Sequence, residues 1–143
     1  MAEYTTLTKK IEFSSSHRYW REEWTESKNL EVFGKCPSKY GHGHNYVLET
    51  TVEGPVDPDT GMIINIYRLK PILKDTLKEF DHKFLNEDTD FFDDQIPTTE
   101  NFAKVLYECI SEKLSKEECK LQKVRLYETK DLFVDFWKEE NVG

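Results

Sequence analysis

The 143-residue sequence has no long apolar run: nowhere does it approach the ~20 consecutive apolar residues needed to span a bilayer. It has no basic excess either. Its 20 Lys and Arg face 28 Asp and Glu, a net charge of −8, whereas nucleic-acid binding leaves a basic footprint. A polyanionic ligand therefore needs a local positive site, such as a metal ion with a few Lys or Arg side chains. Cysteine is scarce: three residues, odd in number and scattered, make no disulfide framework. Met1 to Thr6 lacks the charged and apolar regions of a signal peptide. The 6 Gly and 5 Pro form no linker, and there are no repeats. These absences predict one domain over 1–143, soluble and cytoplasmic. The 13% aromatic content argues that it folds, since disordered chains are poor in aromatics.

What is present has a clear order. Residues 4–16 read as a strand, with Tyr4, Leu7, Ile11 and Phe13 among polar positions. A polar excursion from Arg18 to Pro37 carries Trp20, Trp24 and Phe33. Residues 45–53 form a second strand by their β-branched and aromatic content, and residues 54–61 are dense in turn residues. Ile66, Leu69, Leu73, Leu77 and Phe80 then recur at helical spacing behind Asn65 as N-cap; Pro71 predicts a kink or a late start. A second helix is expected over about 99–114, capped by Thr98 or Thr99, and strands over 121–129 and 132–138 flank a tight turn at Lys130-Asp131. The order ββααββ predicts an α+β fold, a four-stranded antiparallel sheet with two helices on one face. Two open sheet edges call for a cover or a partner chain, and a barrel closed by several subunits provides one.

The four histidines are the most informative residues. His42-Gly43-His44 puts two imidazoles on one face of an extended strand. His17 ends the strand expected to pair beside them, so it can supply a third. Three neutral nitrogens suit zinc, and three protein ligands with one open position is the catalytic arrangement. Cys36 is either a fourth ligand that closes a structural site or a thiol made acidic by a neighbouring metal. Cys109 fits the apolar helix stripe, and Cys119, between Glu118 and Lys120, reads as an exposed thiol. Asp81-His82 is either a proton relay or a helix end with a carboxylate neighbour. Glu128 is an acid in an apolar-rich strand, so it points to solvent or binds something. Thr98-Thr99-Glu100-Asn101 reads as a helix cap with an acid at the positive dipole end.

Taken together, Phe13-Ser14-Ser15-Ser16-His17, Phe33-Gly34-Lys35-Cys36 and Gly41-His42-Gly43-His44-Asn45-Tyr46 resemble the signature of the 6-pyruvoyl-tetrahydropterin synthases. Val56-Asp57-Pro58-Asp59-Thr60-Gly61-Met62, Asp81-His82-Lys83-Phe84-Leu85-Asn86, Thr98-Thr99-Glu100-Asn101 and Tyr127-Glu128-Thr129 continue the match in order. The resemblance implies the tunnelling fold, in which trimers close a β-barrel and two trimers stack into a hexamer. It implies zinc held by His17, His42 and His44, with Cys36, Asp81 and His82 as the acid–base set. Glu128 would anchor the pterin, and Glu100 with Thr98 and Thr99 would form a second pterin contact. The implied reaction converts 7,8-dihydroneopterin triphosphate to 6-pyruvoyl-tetrahydropterin with loss of triphosphate, on the route to tetrahydrobiopterin. Arg18, Lys35, Lys39 and Lys83 are candidate counter-charges for the triphosphate. The similar 6-carboxy-tetrahydropterin synthases of queuosine biosynthesis use the same substrate and release acetaldehyde. Departures from the pattern are Pro37-Ser38-Lys39-Tyr40 in place of an Asn-rich stretch, Asn65 for Asp, and Pro71 in the first helix.

Overall fold

A computed structural model of the chain describes residues 3–34 and 40–139. Two 13-residue strands, β1 (Thr5–His17) and β2 (His42–Gly54), form its spine. They pair antiparallel from Thr5↔Gly54 to His17↔His42. The β2 strand begins at His42 rather than Asn45, so the two histidines of the H-x-H pair lie in the ladder itself. Strand β4 (Lys120–Thr129) pairs with β2, and β5 (Leu132–Phe136) pairs with β4.

Helix α2 (Ile66–Lys78) is capped by the Asn65 side chain, which accepts from the Tyr67 N–H. It buries Leu69, Leu73 and Leu77. Pro71 does not delay its start, because the cap at Asn65 already fixes the first turn. Helix α4 (Thr99–Lys113) starts at Thr98, whose hydroxyl accepts from the Asn101 N–H. Phe102, on its buried face, meets the rings of Phe13, Tyr46, Phe80 and Phe92 at centroid distances of 5.3 to 5.8 Å. Burying each such ring contributes roughly 1.5–3 kcal/mol. One apolar cluster thus fills the space between the helices and one face of the sheet.

The sheet has five strands, not four, in the order β3-β1-β2-β4-β5. The added strand is β3 (Lys83–Phe84), two residues that pair parallel with Ser15 and Ser16 at the outer edge of β1. Two residues leave no alternation to read in the sequence. Two short helices were also not expected. The first, α1 (Glu26–Phe33), lies within the polar excursion, and α3 (Leu85–Asp88) follows β3. Helix α1 is organised by buried Asn29, whose amide donates to the Arg21 and Thr25 carbonyls and accepts from the Arg21 N–H. Cys119 is buried, contrary to the exposed thiol expected from its charged neighbours, because the chain turns inward beside Gly54 at the start of β4. No helix among the described residues is long and apolar enough to cross a membrane.

Candidate metal centre

The metal-binding candidates sit on the helix-facing side of the sheet, at the end where β1 stops and β2 starts. In β1 the residues Phe13, Ser15 and His17 are buried and alternate with Ser14 and Ser16. His17 lies directly opposite His42, and His44 is opposite Ser15. Directly opposed residues of an antiparallel pair share a face, so all three imidazoles project together. Gly41 sets up this start. Its φ is +73°, and a Cβ there would lie 2.6 Å from the His17 carbonyl oxygen and 2.9 Å from the Phe84 ring.

Glu128 joins the group from β4. Leu126 pairs with Leu48 on the buried face, and Glu128 comes two residues later on the same face. Towards β5 the register shifts between Tyr127↔Phe133 and Thr129↔Leu132, leaving Glu128 as the extra residue of a bulge. Its Oε1 is 2.9 Å from His44 Nε2 and 3.6 Å from His17 Nε2. The Nε2 atoms of His17 and His42 are 3.1 Å apart. One ligand atom from each of His17, His42, His44 and Glu128 falls within 4.8 Å of all the others. The sequence placed Glu128 in a strand but gave no sign that it would reach the histidines, because that contact depends on β4 pairing with the distant strand β2.

The donor chemistry fits a metal ion. Two imidazole nitrogens facing each other at 3.1 Å share at most one proton, so at least one of them presents its lone pair to the same space. His44 Nε2 is buried and makes no hydrogen bond among the described residues, although Glu128 Oε1 is close by. An ion held tetrahedrally at ~2.1 Å keeps its ligand atoms ~3.4 Å apart, in the range of the spacings here. Burial, then the neighbouring His42 and His44, hold the His17 imidazole down to a pKa of about 3, while a hydrogen bond with the Pro97 backbone acts the other way. Burial also lowers that of His44, against the pull of the Glu128 carboxylate. Both shifts favour the neutral, metal-ligating form. The His17 ring is held in turn by Tyr46, whose hydroxyl lies 3.0 Å from Nδ1. Burial, followed by Glu128 and Tyr19, pushes the Tyr46 phenol far above its ordinary range, so it stays protonated.

The remaining candidates are spread over neighbouring surfaces. Asp81 Oδ1 lies 3.0 Å from His82 Nδ1 and also accepts the Ser14 backbone N–H at 2.9 Å. His82 has φ +60° and donates its own backbone N–H to the Ser14 carbonyl. Its side chain is 81% exposed and is not part of the histidine–Glu128 group, but it borders a depression that Ser14, Ser16, Gly43, Asn45 and Lys83 line together with Ser15 and His44. Ser14 and Ser16 belong to the face opposite His17. Thr98 caps α4, Thr99 is buried with no partner for its hydroxyl among the described residues, and Glu100 is exposed in the first turn. The cap follows Ile96 and Pro97, which line a cavity of about 480 Å³ shared with Arg18, Trp20 and Asn86. The Arg18 guanidinium stacks 4.1 Å from the Trp20 ring centre. Cys36, Lys35 and Lys39 lie outside the described residues.

Residues 6–139 match the family profile described as 6-pyruvoyl tetrahydropterin synthase. The 6-pyruvoyl tetrahydrobiopterin synthase of Drosophila melanogaster is 43% identical over 124 residues, covering 86% of this chain and 73% of its own. The solved structure of Caenorhabditis elegans 6-pyruvoyl tetrahydropterin synthase superimposes with a TM-score of 0.90 at 33% identity, over 96% of this chain and 97% of that one. A 6-carboxy-5,6,7,8-tetrahydropterin synthase of Aquifex aeolicus is more distant, 28% identical over 150 residues that cover 86% of this chain and 91% of its own. With the histidine group, the sheet order and the profile match over nearly the whole length, the chain belongs to the 6-pyruvoyl tetrahydropterin synthase family.

Proposed function

We propose that this chain is a zinc-dependent lyase that converts 7,8-dihydroneopterin triphosphate to 6-pyruvoyl-tetrahydropterin and releases triphosphate, as one domain over 1–143 acting within tetrahydrobiopterin synthesis. The observation that carries this reading is the convergence of His17, His42, His44 and Glu128 in a chain 43% identical to a protein named for that product. Zinc is the metal of choice because three imidazoles make a nitrogen-rich set suited to it and leave one position open, with the Glu128 carboxylate beside them free to meet the pterin. Held there, the ion supplies Lewis acidity towards the hydroxyls of the substrate side chain.

The chain's own groups supply the rest. His17, His42 and His44 present neutral nitrogens, and Tyr46 holds the first of these rings in place. Asp81 holds His82 through Nδ1, which leaves Nε2 facing outward to take or give a proton. Cys36 is the general base of the proposed set. Glu128, at the edge of the histidine group, accepts hydrogen bonds from the pterin amino and ring N–H groups. Thr98, Thr99 and Glu100 make the second pterin contact, where the α4 N-terminus also favours an acceptor. Arg18 and Lys83 are the described counter-charges for the triphosphate.

Asp81 and His82 lie at the outer edge of β1, outside the histidine group of their own chain, so in this reading a complete centre draws the two sets from different subunits. This supports a homo-oligomer, a hexamer built as two trimers. The exposed edges fit the same reading: β3 covers only Ser15 and Ser16 of β1, and Leu132, Phe133 and Trp137 are exposed along the β5 edge.

The test is mass spectrometry of the products from 7,8-dihydroneopterin triphosphate, with and without a chelator. A chelator-sensitive pyruvoyl product is expected. A carboxylate with acetaldehyde would move the protein to the chemistry named for the Aquifex relative, and no turnover by zinc-loaded oligomer would overturn the enzyme reading.

A further inference from the structure

We infer that Tyr46 is a positioning residue that fixes the orientation of His17 and thereby the metal affinity of the whole group; this rests on the metal-binding reading of that group. Tyr46 and His17 are both 0% exposed, so no bulk water competes for the contact between the Tyr46 hydroxyl and His17 Nδ1 at 3.0 Å. The Tyr46 ring is fixed from two sides. It stacks on Phe13 at 5.4 Å with an interplanar angle of 17°, and meets Phe102 edge-on at 5.3 Å and 82°. Phe13 is also its direct cross-strand partner. The hydroxyl therefore has one place to be, and that place is the far nitrogen of His17.

The near nitrogen, Nε2, is the atom that faces His42 Nε2 at 3.1 Å and Glu128 Oε1 at 3.6 Å. When Nε2 gives its lone pair to a cation, Nδ1 carries the ring's proton and points it at the Tyr46 oxygen, with the Pro97 backbone as a further hydrogen-bond partner of the ring. This pins the ring plane and raises the basicity of Nε2. Partners of this kind change metal affinity by about 10- to 100-fold when removed. His42 and His44 are half-buried at the start of β2, so His17 is the buried ligand of the group, and Tyr46 is its side-chain hydrogen-bond partner on the side away from the metal.

The test is Tyr46→Phe, which deletes the hydroxyl and keeps the ring between Phe13 and Phe102. Zinc affinity of the full-length protein is measured by competition with a chromophoric chelator, for wild type, Tyr46→Phe, His17→Ala and the double variant. The expected result is a loss of about 10- to 100-fold for Tyr46→Phe in the wild-type background and no further loss in the His17→Ala background. Equal zinc affinity for wild type and Tyr46→Phe would overturn the inference. So would an equal loss in both backgrounds, which would mean that Tyr46 acts through packing alone. In those two cases the metal site stands without the Tyr46 role, whereas a wild-type protein that binds no zinc would remove both. A second measurement needs no variant. In nitrogen-15 spectra of zinc-loaded wild type, His17 is expected to carry a slowly exchanging proton on Nδ1; a proton on Nε2 would overturn the assignment.

Discussion

His17 and His42 stand directly opposite each other at the last rung of the β1–β2 ladder, with their Nε2 atoms 3.1 Å apart. Two neutral imidazoles in this position share one hydrogen bond at most, whereas a cation between them and His44 would engage a lone pair from each of the three rings. Metal removal should therefore lower stability as well as activity. With zinc at 100 times its dissociation constant, binding adds about 2.7 kcal/mol to the folded state. Thermal melting with and without chelator measures this, and superimposable melts would argue against a metal at this site.

Stability of the metal-free protein should fall with acid in a window set by His17. Its folded pKa is about 3 against 6.5 in the unfolded chain, so between these values the unfolded state binds the extra proton. The stabilising effect of keeping His17 neutral is fully present above pH 6.5 and is lost as pH falls towards 3. The added slope approaches about 1.4 kcal/mol per pH unit. Urea melts of chelated wild type and His17→Asn across this range check it, and equal slopes for the two proteins would contradict it.

Gly41→Ala should disrupt the metal group without touching a ligand. The added Cβ would sit 2.6 Å from the His17 carbonyl oxygen on a backbone at φ +73°. The strained conformation alone costs about 1–2 kcal/mol, and relief of the clash must push His42 away from His17. Zinc content per chain after dialysis should drop well below that of wild type. Retention of full zinc would show that the strand start accommodates the methyl group.

His82→Asn separates chemistry from backbone. His82 occupies the left-handed region at φ +60°, where Asn is among the better-tolerated residues. The variant should melt within a few degrees of wild type and keep its zinc, while kcat falls about 10²- to 10⁴-fold. A large loss of stability would instead assign His82 a structural role.

Because His82 lies outside the histidine group of its own chain, two inactive variants should complement. His42→Ala and His82→Asn, unfolded and refolded together in equal amounts, should regain about a quarter of wild-type activity if each centre combines two neighbouring subunits. No recovery from a correctly assembled mixture would place the whole centre within one chain.

Much of this protein was legible in its amino acids, and the division follows from the range of the forces involved. Local patterns determined β1, β2, α2, α4, β4 and β5 within a few residues, because period-two alternation, helical spacing and side-chain caps at Asn65 and Thr98 act over short stretches of chain. The H-x-H spacing and the strand ending in His17 likewise pointed to a shared face. Other features depended on contacts between distant segments. Strand β3 exists only because the turn after α2 is tied to β1 by the Ser14 backbone. Cys119 is buried by its approach to Gly54, a residue 65 positions earlier, despite its charged neighbours. Tertiary structure also decided that Glu128 reaches the histidines, through the register of β4 against β2, and that Asp81 and His82 stay outside that group. Register and sidedness arise when the whole sheet pairs at once, so no single stretch of sequence contains them.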